Sequence, residues 1–368
     1  MKVLLIPQFS EFGGTRTFFN QLLQLYKKHD FEVTIAINQR QASIIKEQDV
    51  APFKIMILPE LNHPLLSKFP ISIFADLVKI LKVYLVIKPN LVVASLGEPG
   101  YLLGLFLLPS KLLYILHTYP FYPNGKLPRM TYFRKAYTTF MLGNRRKILT
   151  VSHFAKNEIL KYLAAPKKAS FIHVVHNTAG EDLNLLMPKK KLNHKKVILT
   201  LGHVVWYKDP ETWIKVAHNV TSKCEDVEFI WAGEGELLTI FLEKTQKLKI
   251  SKNVKFMGFA KDVENLFNKA DIYFQPSLIE SHGFSVLEAM RNGIPSVVSN
   301  AGGLPESIEN GKNGFVANIE DVETMSQCLL SLVHSASLRE SMGAECIKKY
   351  SASFSRAAWE KKILLNHH

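Results

Sequence analysis

Short runs of aliphatic and β-branched residues alternate along this chain with longer stretches in which apolar positions return every three to four residues. The first strand-like run is "KVLLIP", followed by the helical "TRTFFNQLLQLYKKHD" and by "EVTIAI"; "PNLVVASL" and "LLYILHTYP" read as later strands. "RKILTVSHFAKNEILKYL" adds a strand and a helix with Ser152 at its N-cap, and "ASFIHVVHNT" closes the half. The lysine-rich "MPKKKLNHKK" has no apolar period and reads as a boundary. From Val197 the alternation starts afresh with "KVILTLGHV", "ETWIKVAHNVTSK", "VEFIWAGEGE", "NVKFMGF", "IPSVVSN" and "GFVANI". A last helical pattern, "SFSRAAWEKKILL", has no strand after it and either caps the pair or returns to the first domain. Strand and helix in this order predict an α/β chain of two doubly wound parallel sheets. The expected domains are 1–184 and 185–352, with a terminal helix in 353–368. Two such sheets facing across a hinge point the carboxyl ends of their strands at one interdomain cleft, where ligands bind in folds of this kind.

The length of 368 residues supports the two-domain reading, because one compact core rarely grows that large. Three cysteines without metal-ligand spacing argue against disulfides and zinc and for a reducing cytoplasm. "MKVLLIP" runs into acid and glycine where a signal peptide would continue its apolar core. The most apolar later segment, "YLLGLFLLPSKLLYIL", is broken by Pro109 and Lys111 before the roughly 20 residues a bilayer crossing needs. Charge is unevenly placed. Residues 1–180 hold 23 Lys and Arg against 9 Asp and Glu, while the remainder holds 23 of each, so the whole net charge of +14 sits in the first half. No acid falls between Glu98 and Glu158, where nine basic residues interleave with the aromatics of "YPFYPNGKLPRMTYFRKAYTTF". Such a mixture suits an anionic surface, either a membrane leaflet or nucleic acid; a solvated basic face with no partner is the plainer alternative.

One stretch asks for chemistry: "IESHGFSVLEAM" sets Glu280 and Glu288 on either side of Gly283 and a helix start. Free amides at Gly283, Phe284 and Ser285, together with the helix dipole, make a seat for phosphate. The flanking carboxylates then suit hydroxyl donors, and a phosphate between two sets of hydroxyls describes a sugar nucleotide. A loop glutamate and a first-turn helix glutamate would look the same from the pattern alone, and a glycosidase acid and base is a further reading of two carboxylates.

The segment "PSLIESHGFSVLEAMRNGIPSVVSNAGGLPESIENGKNGFV" resembles the E-x7-E signature of the retaining glycosyltransferases of family 4, also called glycosyl transferases group 1. "GG" at Gly13 and Gly14, "LHTYP", "LTVSHFAKNEI", "VVHNT", "LGHVVWYKDPETWIKVA", "FIWAGEGE" and "FMGF" follow in the family's order, leaving only 40–85 and 120–147 without a signature. The resemblance implies the GT-B fold, with two Rossmann-like domains. It implies that Glu280 meets donor sugar hydroxyls, that Glu288 holds the ribose, that Gly283, Phe284 and Ser285 hold the distal phosphate, and that Lys208 neutralises the diphosphate. It also places His117 at the donor sugar and phosphate, Gly13 and Gly14 near the donor phosphate and acceptor, Gly202 and His203 among the donor-binding residues, and Gly233 near the base. His203 departs from the family, which usually has arginine there. Arg16 either meets an acceptor phosphate or lies on a helix surface.

No metal is expected, since D-x-D is absent. The implied co-substrate is a nucleoside diphosphate sugar, with a UDP-sugar favoured and no other cofactor. The implied acceptor is a glycan or lipid-linked glycan, and nucleic acid is not an expected partner. The expected activity is retaining hexosyl transfer in cell-envelope polysaccharide or glycolipid synthesis, in the cytoplasm and peripherally on the inner face of the membrane. A catalytically silent sugar-nucleotide-binding partner subunit and a sugar-nucleotide epimerase of the same fold stand as alternatives.

Overall fold

The computed structural model describes residues 1–7, 13–45, 50–58, 71–96, 103–118, 129–181 and 195–367. The start of "SEFGG", the end of "LHTYP", much of the basic aromatic stretch and the expected boundary at 184/185 lie outside them. The chain divides into two compact units, Met1–His176 with Glu360–His368, and Asn177–Trp359.

The first unit holds β1 (Lys2–Pro7), β2 (Glu32–Ile37), β3 (Lys54–Ile57), β4 (Leu91–Leu96), β5 (Lys111–Leu116), β6 (Arg146–Thr150) and β7 (Ile172–Val174). They form one parallel sheet in the order β3-β2-β1-β4-β5-β6-β7. Strands covered on both faces read as continuous apolar runs, which is why β1, β2 and β5 each bury every residue after the first. Ser152 caps the helix His153–Leu163 by accepting from the Ala155 amide. Within this unit His367 closes the end of the chain onto Tyr26, their side chains 2.9 Å apart.

The second unit holds β8 (Lys196–Leu201), β9 (Val227–Ala232), β10 (Val254–Gly258), β11 (Ile272–Gln275), β12 (Ser296–Ser299) and β13 (Gly314–Ala317), a parallel sheet in the order β10-β9-β8-β11-β12-β13. Alternate side chains feed two cores. Ile198, Phe229, Trp231 and Phe274 meet Trp213 on one face, while Val197, Leu199, Ile230 and Tyr273 meet Val286 and Met290 on the other. In both sheets the winding reverses once, between β1 and β4 and between β8 and β11. The crevice outside the carboxyl ends of such a strand pair is where doubly wound sheets bind ligands.

Candidate active site

In the second unit the groups that close β8 and β11 converge. After β8 the chain passes Gly202 and His203 and makes a tight turn, Trp206–Lys208, which ends at Asp209 in the left-handed conformation. Asp209 then caps the helix Pro210–Lys223 by accepting from the Thr212 amide at 3.0 Å. That cap fixes Lys208 at the mouth of the turn, with its stem near the backbone of Gly202. The carbonyl of Tyr207 accepts from the amides of Leu278 (2.9 Å) and Ile279 (3.3 Å), tying this turn to the loop after β11.

That loop carries Glu280. Its carboxylate pairs with the Lys208 ammonium, both side chains being more than four-fifths buried. Gln275, the last residue of β11, donates to the same carboxylate oxygen from Nε2 at 2.8 Å. The side-chain Oε1 of Gln275 in turn accepts from Ser285 Oγ (3.2 Å) and Tyr273 Oη (3.0 Å). The backbone is gripped as well: Gly303 donates its amide to the Glu280 carbonyl at 3.0 Å, and a Cβ on Gly302, at φ 55°, would overlap that carbonyl oxygen. Glu280 is therefore held at main chain and side chain by residues from three separate segments.

Gly283 precedes the helix Phe284–Arg291, and no side chain caps that start. Ser285 lies in its first turn and Glu288 one turn further on. Glu288 is half-buried, and its carboxyl makes no hydrogen bond among the described residues. Burial pushes it up to about 7, the Arg291 charge opposing and the Glu264 charge adding to the shift. Burial likewise raises the Tyr273 hydroxyl, and the charges of Glu288 and Glu280 push it further, so both carboxylates act on one phenol. Trp231 anchors Gly202 through an indole N–H to its carbonyl at 2.8 Å, and a Cβ on Gly233 would overlap the same oxygen.

His203 is exposed and lies 3.3 Å from the Glu234 carbonyl through Nδ1. A carbonyl only accepts, so Nδ1 is the donor and a neutral ring has no second N–H to offer. His282 is a packing residue: it is 1% exposed, accepts from the Asn177 amide through Nδ1, faces Ser307 through Nε2 and lies against Phe354.

The remaining sequence-predicted residues belong to the first unit. His117 follows β5, is buried, meets Ser95 Oγ at 2.7 Å and packs edge-on against Phe18. Burial pulls its pKa down to about 4, which keeps the ring neutral. Gly13 and Gly14 open the helix Gly14–Lys28, and Arg16 sits in its first turn, 5.9 Å from the Phe19 ring.

The model for "Glycosyl transferases group 1" matches residues 185–349, and that for "Glycosyltransferase Family 4" matches residues 12–179. The chain belongs to the group 1 glycosyltransferases. Among curated relatives it is 30% identical over 150 residues to the protein named putative glycosyltransferase EpsD of Bacillus subtilis, covering 41% of this chain and 39% of that one. It is 26% identical over 222 residues to the phosphatidylinositol N-acetylglucosaminyltransferase GPI3 subunit of Saccharomyces cerevisiae, covering 57% and 48%. The matched part is thus less than half of either relative's length. Among solved structures, Anabaena HepE in complex with UDP superposes with a TM-score of 0.76 over 99% of both chains at 18% identity, a likeness of fold. The two doubly wound sheets are those of the GT-B fold.

Gln275 and Tyr273 carry no signal in the glycosyltransferase sequence that marks them as part of the site. "Gly-Gly-x-Pro-Glu" was visible as a motif. Its grip on Glu280 depends on a fold that brings together residues 22 and 23 positions apart, Gly302 and Gly303 with Glu280.

Proposed function

We propose that the chain is a glycosyltransferase that moves a hexose from a nucleoside diphosphate sugar, first of all a UDP-sugar, to a lipid-linked glycan in cell-envelope polysaccharide or glycolipid synthesis, with retention at the anomeric carbon. The observation that carries this reading is the Lys208–Glu280 pair braced by Gln275, beside an uncapped helix start and the unbonded Glu288 carboxyl. An ammonium, free amides and two carboxylates in this order suit a diphosphate with hydroxyl-bearing rings on both sides.

On this reading Lys208 stabilises the charge that grows on the departing diphosphate, and Glu280 orients the sugar through its hydroxyls. Glu288 accepts from the ribose, and His117, neutral at physiological pH, serves the donor sugar as a hydrogen-bonding group. The bond from the anomeric carbon to phosphate oxygen breaks as the acceptor oxygen bonds on the same face, and the acceptor proton passes to the departing phosphate. Lys208 supplies the cation, so turnover is expected to survive chelation of metals. Support for the donor comes from HepE, which binds UDP, and for a phospholipid acceptor from the name of the GPI3 relative.

The test is to incubate the purified chain with UDP-sugars and a lipid-linked glycan and to read the anomeric configuration of the product by NMR. Inversion would overturn the stereochemistry. Failure both of transfer and of any donor-induced rise in thermal midpoint would overturn the whole reading. His203 favours one rival, a catalytically silent donor-binding subunit, because with Nδ1 donating to the Glu234 carbonyl a neutral ring offers no further N–H where the family usually has a guanidinium. Transfer or donor hydrolysis by the chain alone would remove that rival.

A further inference from the structure

The helix Ile71–Ile87 turns a line of apolar side chains to the outside. Phe74 is 62% exposed, Val78 60%, Leu81 38% and Leu85 58%. These positions are spaced i, i+4, i+7 and i+11, so at 100° per residue all four fall within an arc of about 60° and run for about 16 Å along the helix. Ile80 and Val83, on the other side, are buried in the core of the first unit, so the helix has an anchored face and an apolar outer one. Val86 extends the outer surface and is 71% exposed. Five large exposed apolar side chains on one helix exceed what single scattered residues account for.

Charge selects the occupant. Lys82 borders the stripe and is exposed, as is Lys88 just beyond the helix, while Lys79 is half-buried. The half of the chain that contains this helix carries the entire net charge of +14. A second helix of the same unit, Arg129–Met141, repeats the composition, with Tyr132, Phe133 and Phe140 exposed at 72%, 56% and 81% and Arg134 and Lys135 between them. Apolar side chains framed by lysine suit a headgroup layer, where the ammonium groups meet lipid phosphate and the side chains enter the acyl boundary. A second copy of this chain would bring the same positive charge to the same face. Among the described residues no helix is long and apolar enough to cross a membrane, so the contact is one of lying on the bilayer.

We propose that the outer face of the helix Ile71–Ile87, through Phe74, Val78, Leu81 and Leu85 with Lys82 beside them, docks the first unit on an anionic lipid surface. This rests on the lipid-linked reading of the acceptor and deepens it, adding to the basic aromatic stretch a second surface of the same unit.

The experiment is flotation of the full chain with vesicles of phosphatidylglycerol and phosphatidylcholine, and with phosphatidylcholine alone, at low and high salt. The chain should float with the anionic vesicles at low salt. The Leu81→Glu/Leu85→Glu variant should lose at least tenfold in partitioning, and Lys82→Glu about fivefold on anionic vesicles only, with a shallower salt dependence. Both variants change exposed residues; an unaltered UDP-induced thermal shift and far-ultraviolet spectrum will show that they fold. No flotation of the parent chain, or equal flotation of the double variant, would overturn the proposal. So would a parent dimer in light scattering that the double variant breaks without change in lipid binding. Transfer to a detergent-dispersed acceptor, measured in parallel, separates a failure of docking from a failure of the proposed activity.

Discussion

Replacing Glu288 by Gln keeps the size of the side chain and removes its titration. Burial holds this carboxyl at about 7 against an ordinary 4.5. The folded chain therefore keeps a proton there over a range in which the unfolded chain has lost it. The group's stabilising contribution is fully present below pH 4.5 and is lost as pH rises towards 7. A displacement of this size amounts to about 3 kcal/mol at pH 8, and to roughly 2.5 between pH 5 and pH 8. Urea unfolding at those two pH values measures it. All four tryptophans, Trp206, Trp213, Trp231 and Trp359, lie in the unit Asn177–Trp359, so fluorescence follows the unit that holds Glu288. The parent chain should lose that increment of stability between pH 5 and pH 8, and Glu288→Gln should not. Other titrating groups are common to both chains and cancel in the comparison. An equal pH dependence in the two would refute the argument that Glu288 is ionised at a cost. Ribose hydroxyls that donate to the carboxylate favour its charged form, so calorimetry on the parent chain should show UDP affinity rising up to about tenfold from pH 6 to pH 8. The variant should show weaker binding that is flat with pH.

Lys208→Ala should lower kcat by roughly 100- to 1,000-fold in a transfer assay while UDP affinity falls much less; an unchanged kcat would remove Lys208 from the chemistry. Gly302→Ala should destabilise the second unit by more than about 2 kcal/mol, because the new Cβ overlaps the Glu280 carbonyl, and should weaken donor binding with it. Wild-type unfolding midpoints would contradict that. The depressed His117 implies stability that is present above pH 6.5 and lost as pH falls through about 4. Protection factors around β5, taken against the intrinsic exchange rate at each pH, should therefore fall in acid for the parent and less steeply for His117→Gln.

Most strands of the two sheets were legible because each is a short apolar run stopped by turn residues; the edge strand β3, only four residues long and half-exposed, was not. The helix Phe284–Arg291 was legible from its glycine borders. The helix Ile71–Ile87 was not, since an almost uniformly apolar segment hides its period and gives no sign of which face is buried. At the site, Glu280, Glu288 and Lys208 stood out through their spacing and their resemblance to a family. Gln275 looked like any polar residue before a proline, and only the hydrogen bonds from β11 to Glu280 and Ser285 give it a task. His282, near Glu280 in sequence, is shown to be a packing residue only by the fold that encloses it.

Lys208 and Glu280 are each other's counter-ion, so a ligand wins either group only by substituting for the other. A bare phosphate draws off the ammonium and strands a carboxylate; a free sugar occupies the carboxylate and strands the ammonium. Each carries the penalty of a poorly solvated charge without its partner. A molecule that brings phosphate and hydroxyls together leaves neither stranded. On the proposed reading the pair acts as a lock with two keys, turning away fragments of the donor before any bond is broken. It would also help expel the spent nucleotide, because the carboxylate reclaims its lysine as soon as the sugar is gone.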